Sequence, residues 1–232
     1  MAQDAPRQDD VLAAFRTEAA ELIGALAGLS DEDFRRPTRC TPWTVAELVA
    51  HVATASGRLT AALAADPPGL ATVSIVDYYR PDERFSAGTN EIRIRLAREQ
   101  AAAATNGRAL VVDLARAAAD ALALADTTPP DRTVLTRHGD AMTLHDFLVT
   151  RVVELALHGL DLSDALDREP WLTEPAATVV AALVLPASGT GVADALGWDR
   201  TTLIRKATGR AVLTDAEAGY LSTHGIHWLT FG

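Results

Sequence analysis

The twelve residues Arg151–Leu162, RVVELALHGLDL, set a glutamate and a histidine four positions apart in a run that is otherwise almost entirely apolar. At about 100° per residue, Glu154 and His158 share one helix face on neighbouring turns, and Arg151 and Asp161 extend the same stripe. Val152, Val153, Leu155, Ala156, Leu157, Leu160 and Leu162 fill the rest of the circumference, so the helix belongs deep in a core and takes its polar seam with it. A buried carboxylate needs a close cation, a hydrogen-bond network or a metal, because leaving it unpaired costs on the order of several kcal/mol. A second run, LVAHVATA, carries His51 as its one ionisable side chain. Two imidazoles and a carboxylate from two facing helices make a three-ligand set for a divalent metal, with coordination positions left for water or substrate. The same residues also suit a hydrogen-bonded core cluster in which Arg151 neutralises Glu154, and two His with one carboxylate also suit non-haem iron(II) and oxygen chemistry.

The elements that must position these residues read mostly as helix. From about Asp9 to Leu29, the residues Leu12, Phe15, Leu22, Leu26 and Leu29 fall on one face. Thr44 followed by Glu47 is a capping-box signature that opens the His51 helix, which runs to DPPG. A loop containing VDYYRPDERFSAG leads to a long Ala- and Arg-rich helix from about Thr89 to Ala125, with Gly107 as its point of interruption. VLTRHGD is a short extended or turn piece, and Thr143 caps the Glu154 helix, which ends near Leu166. Four long antiparallel helices predict an up-down bundle over residues 1–170. Residues 171–232 change character: EPAATVVAALVLPASG reads as helix, while β-branched runs and glycine turns after it predict a small α+β appendage.

Composition narrows the function classes. The chain has 232 residues, 48% of them hydrophobic, and 21 Lys plus Arg stand against 31 Asp plus Glu, for a net charge of -10. That field repels phosphate backbones and anionic lipid, so nucleic acid and membrane surfaces are excluded as partners. No uncharged run approaches the roughly 20 residues of a membrane span, and the opening MAQDAPRQDD has neither the basic start nor the apolar core of a signal peptide. The single cysteine, Cys40, has no partner for an internal disulfide. A cytoplasmic protein is expected.

CTPWTVAELVAHVA, followed about a hundred residues later by TRVVELALHGLDL, resembles the mycothiol-dependent maleylpyruvate isomerase family, a branch of the DinB-like helical-bundle superfamily. The ending TGRAVLT…WLTFG is similar to that family's C-terminal region. The resemblance implies a mainly α fold, a DinB-like four-helix bundle with the small C-terminal α+β appendage. It further implies that His51, Glu154 and His158 hold a divalent metal, usually taken as zinc, in a bundle cleft. Mycothiol would be the thiol cosubstrate and a small electrophile its partner, with isomerisation or S-transfer as the outcome. A C-terminal arginine contributes to catalysis in such proteins; Arg210 is the candidate here, with Arg205 behind it. Arg151 and Asp161 are expected to orient the ligands from behind, although an ion pair on the helix explains them equally well. Cys40 reads as turn packing, His145 as facing away from the metal, His138 as loop surface, and His224 with His227 as incidental. A non-catalytic binding bundle is the remaining alternative, and intact ligands argue against it.

Overall fold

The apolar stripes of four long helices meet in a single core: α1 (Gln8–Leu26), α3 (Val45–Ala64), α6 (Gly107–Ala125) and α7 (Leu144–Ala165). This computed structural model describes residues 6–80, 82–83, 86–185, 189, 191–226 and 228–229. Consecutive long helices α1 and α3 each pack against both α6 and α7. The chain therefore uses unusual connections between bundle helices. The short helix α2 (Asp31–Arg35) lies between α1 and α3, and α4 (Ile75–Tyr78) lies in the long segment after α3. The fold is mainly α, and α3 and α7, the helices that carry His51 and Glu154, are packed neighbours.

Local chemistry explains the helix starts. Thr44 accepts from the Glu47 amide at 3.4 Å, while Glu47 Oε2 accepts from the Thr44 amide at 2.7 Å. This reciprocal pairing satisfies two amides that the first turn of α3 would otherwise leave open. Thr143 caps α7 in the same way, accepting from the Asp146 amide at 3.1 Å. The long third helix expected over Thr89–Ala125 is instead two, α5 (Ala87–Ala103) and α6. Asn106 caps α6 through a bond from the Ala109 amide, and a Cβ at Gly107 would sit 2.1 Å from the Phe34 ring. The glycine is thus a close-approach position at a helix start. Only α6 has a broad buried face; α5, with Ala97 its one buried residue, packs on the outside of α3.

The extended piece at VLTRHGD is an antiparallel hairpin of β1 (Thr133–Leu135) and β2 (Ala141–Thr143), in which Val134 faces Met142. Strands expected in the C-terminal segment do not occur among its described residues, which hold α8 (Glu174–Val184), α9 (Val192–Leu196), α10 (Arg200–Ala207) and α11 (Asp215–Thr223). The β-branched run TTLIRKA becomes helical because Asp199 caps it, accepting from the Thr202 amide at 2.6 Å, and because Leu203, Ile204 and Ala207 bury one face. Among the described residues no helix is long and apolar enough to cross a membrane.

A buried carboxylate ties this C-terminal segment to the bundle. Helix α8 packs on α1 and α7, and its N-cap Thr173 donates its amide (2.9 Å) and hydroxyl (2.5 Å) to Glu18 Oε2 of α1. Gly159 of α7 admits the strand of chain leading into α8: a Cβ there would lie 2.7 Å from the Trp171 carbonyl. Burial pushes the Glu18 carboxyl from its ordinary 4.5 up to about 7, against the two Thr173 hydrogen bonds, which lower it. A raised folded-state pKa means that the contribution to stability is complete below pH 4.5 and is lost as pH rises through about 7. The neutral Glu18→Gln variant should therefore gain on the wild type by about 3 kcal/mol between pH 4.5 and pH ~8, read by urea unfolding at several pH values. Parallel stability profiles for the two proteins would contradict this.

Candidate metal centre

His51 sits on the second turn of α3, and Glu154 and His158 sit one turn apart on α7, so the α3–α7 packing brings the three together. Glu154 Oε2 lies 3.4 Å from His51 Nε2 and 3.4 Å from His158 Nε2. One donor atom from each residue fits within 4.8 Å of the others. Their side chains are 9%, 25% and 15% exposed for His51, Glu154 and His158, enough to meet a cavity while the bundle shields the rest.

Each donor is held by a neighbour. Trp43, just before the cap of α3, stacks on His51 with ring centroids 4.7 Å apart. His158 Nδ1 donates to Asp161 Oδ2 at 3.0 Å, which leaves Nε2 as the atom that faces Glu154. Asp161, fully buried, also takes two bonds from Arg210, at 2.9 Å from Nε and 2.7 Å from Nη2, and one from the Cys40 thiol at 3.2 Å. Arg151 is buried, donates to the Ala55 carbonyl of α3 at 2.7 Å and to Thr150 at 3.0 Å, and lies 3.9 Å from Glu154 Oε1. The end of α10 delivers Arg210: Gly209, at φ +70°, adopts the left-handed conformation that turns the chain back toward α7.

The charges follow from these contacts. Burial pushes the His51 imidazolium down to about 4, so the ring is neutral at neutral pH, the form that ligates metal. Burial alone would raise Glu154, but hydrogen bonds from both histidines and the Arg151 charge hold it well below the usual carboxylate range. Burial likewise opposes the charge on His158, and the hydrogen bonds to Asp161, Cys40 and Glu154 outweigh it and raise that group. Two imidazole nitrogens and an ionised carboxylate, each oriented from behind, fit a divalent ion as a donor set.

The centre forms part of the wall of a cavity of about 600 Å³. Arg210 lines it, whereas Arg205 pairs with Asp164 at 2.6 and 2.7 Å. His145 bonds Gln8 at 3.1 Å and stays outside the cluster, and exposed His224 stacks on Tyr220; His227 lies outside the described residues. Two expectations change. His138 is not loop surface but a half-buried lining residue that accepts from Arg137 Nε at 3.0 Å. Cys40 does sit in the turn before α3, yet its thiol enters the site, where Cys40, His158 and Asp161 form a second group of donors within 4.8 Å. Sequence reasoning also missed Trp43 as a lining residue, although its place beside the cap Thr44 was a signal. Arg58, seven positions after His51 and so on the same face of α3, was legible by helical period. Tyr78 and Tyr79 come from the end of the short helix α4, Arg93 from the outer helix α5 and Arg137 from the hairpin turn, none of which shares a helical period with the α3 or α7 ligands.

A bundle with a two-histidine, one-carboxylate centre at a cavity defines the class, and the sequence agrees with it. The mycothiol maleylpyruvate isomerase N-terminal domain model matches residues 15–163, and the chain belongs to that family. The matched span contains His51, Glu154, His158 and Asp161 and ends before α8, so Arg210 lies beyond it. Among solved structures, a mutant of a mycothiol-dependent maleylpyruvate isomerase has the same fold, with a TM-score of 0.53 at 17% identity over 76% of this chain and 68% of that one. A second structure of the mycothiol-dependent maleylpyruvate isomerase gives a TM-score of 0.49 at 18% identity over the same shares. No curated protein matches the chain.

The Asp161 contacts give a test that is independent of activity. Asp161→Asn should lower zinc affinity by about 10- to 100-fold while the helical circular dichroism spectrum persists, because His158 loses the anion that fixes its ring. An unchanged affinity in a metal-competition titration would show that Asp161 serves the fold alone.

Proposed function

We propose that the protein is a zinc- and mycothiol-dependent enzyme that acts on a small electrophile, as a cis/trans isomerase of the maleylpyruvate type or as a thiol S-transferase. The observation that carries this reading is the convergence of His51, Glu154 and His158 within 4.8 Å on the wall of a cavity of about 600 Å³. Family membership supports the thiol, since the matched family is named for mycothiol maleylpyruvate isomerase. His51, Glu154 and His158 would hold the ion, which when bound supplies a Lewis-acid centre that lowers the pKa of a neighbouring thiol.

The chain's own residues do the rest. Asp161 and Trp43 fix the two imidazole rings, and the hydrogen bonds from His158 and His51, with the charge of Arg151 behind them, keep Glu154 ionised. Arg210 lines the cavity and locks Asp161. Cys40 is engaged in a hydrogen bond to Asp161, and the nucleophilic sulfur in this reading is that of the cosubstrate. That sulfur adds to an electrophilic carbon as the π pair moves to the activating carbonyl. In isomerisation, rotation about the new single bond and expulsion of the thiolate restore a trans double bond. In S-transfer the carbon–sulfur bond persists and the carbanion takes a proton. The cavity's size suits a thiol and a small electrophile side by side.

With added mycothiol, the zinc-loaded protein should consume maleylpyruvate or another unsaturated electrophile at a rate that rises with thiol concentration. Cys40→Ala should keep most of that rate, and Glu154→Ala should lose it by at least about 100-fold. Turnover that ignores added thiol, or survives in Glu154→Ala, would refute the proposal.

A further inference from the structure

The charge of the cavity points to the charge of the electrophile. In a chain of net charge -10, the described lining contains five arginines, Arg39, Arg58, Arg93, Arg137 and Arg210, and one carboxylate, Glu154. Two of the five belong to the Asp161 side: Arg210 is bonded to Asp161 at 2.7 Å, and Arg39 lies 3.8 Å from it while donating to the Gly209 carbonyl. The other three come from separate elements, Arg58 from α3, Arg93 from α5 and Arg137 from the hairpin turn. Glu154 does not balance them, since both histidines and Arg151 already surround it.

The bonding of this group is incomplete in a specific way. Arg58 makes no hydrogen bond or ion pair among the described residues, although it is only partly exposed. Arg137 gives its Nε proton to His138, but its Nη2 is buried with no hydrogen-bond partner. Burial first, then repulsion from Arg93 and Arg58, pushes the Arg137 guanidinium down to about 10. Burial and the charge of Arg151 likewise lower Arg58. Like charges gathered in a half-buried wall destabilise the protein on their own, and a bound anion with planar oxygens relieves both the repulsion and the missing hydrogen bonds.

We propose that Arg58 and Arg137, with Arg93 beside them, form an anion subsite that holds a carboxylate of the electrophile while its reactive carbon lies toward His51, Glu154 and His158. The electrophile's anionic end reaches the α5 and hairpin side of the cavity. This deepens the reading of the site as a thiol enzyme and rests on it for the ligand's reactivity, but not for the ligand's charge.

Calorimetric titration of the zinc-loaded protein with maleate, neutral dimethyl maleate and inorganic phosphate tests the subsite without turnover. Maleate should bind the wild type and weaken by at least about tenfold in Arg58→Gln and in Arg137→Gln, each checked for a native circular dichroism spectrum. Dimethyl maleate should bind weakly and respond to neither substitution, and maleate should still bind His51→Ala. The two variants sit on different elements, so misfolding of one leaves the other to decide. Unchanged maleate affinity in both arginine variants overturns the subsite, as does loss of maleate binding in His51→Ala, which would assign the anion to the metal. Phosphate binding as tight as maleate overturns the carboxylate assignment. If mycothiol-dependent turnover is absent yet maleate affinity still falls in the arginine variants, the subsite stands and the thiol chemistry falls.

Discussion

Asp161 is a carboxylate with no exposure to solvent, and it joins three separate parts of the chain. It takes two bonds from Arg210 after α10, one from His158 a turn earlier on α7, and one from Cys40 in the turn before α3. An isolated carboxylate at that depth would shed its charge by taking up a proton. With these donors, its pKa is instead pulled far below the ordinary value, after burial alone would have raised it. Removing Asp161 would leave the Arg210 guanidinium without its buried acceptor, so the C-terminal segment, the 40–43 turn and the ligand helix are coupled through one side chain.

From Asp161 the charge pattern continues along α7. His158 links it to Glu154, Glu154 links to His51 across the helix interface, and Arg151 ties the far side of Glu154 to the α3 backbone. Well-packed hydrophobic residues of similar volume often match or exceed such buried ionic networks in stability. The bundle's core is already built from leucines and valines, so the network adds charge and hydrogen bonding to a core that packs by apolar contact elsewhere. Glu18 shows the opposite solution: a lone buried carboxyl whose two donors do not offset its burial, so that its pKa rises.

The legible parts of the fold were those governed by local rules. Helical period put Glu154 and His158 on one face, and Thr44 with Glu47, and Thr143, marked helix starts that the structure reproduces. The break before Gly107 has a local cause, the Asn106 cap, whereas the need for glycine at 107 comes from the distant Phe34 ring and leaves no pattern in the sequence. TTLIRKA has strand composition, but the Asp199 cap and a buried face toward α8 made it helix. Cys40 and Arg137 entered the site from turns, whose direction depends on the tertiary path and leaves no period in the sequence. Arg58 was the recoverable omission, since a seven-residue step from His51 keeps it on the same face of α3.

We place the metal on His51, Glu154 and His158, and not on Cys40 with His158 and Asp161, and take the reactive sulfur from the cosubstrate. X-ray absorption at the zinc edge of the purified, zinc-loaded protein tests both halves at once. Without thiol, only nitrogen and oxygen neighbours at about 2.0–2.2 Å are expected, with two imidazoles among them. Adding mycothiol should introduce one sulfur at about 2.3 Å, in the wild type and in Cys40→Ala alike. A sulfur neighbour before any thiol is added, lost in Cys40→Ala, would contradict the account by placing the protein's own cysteine on the metal.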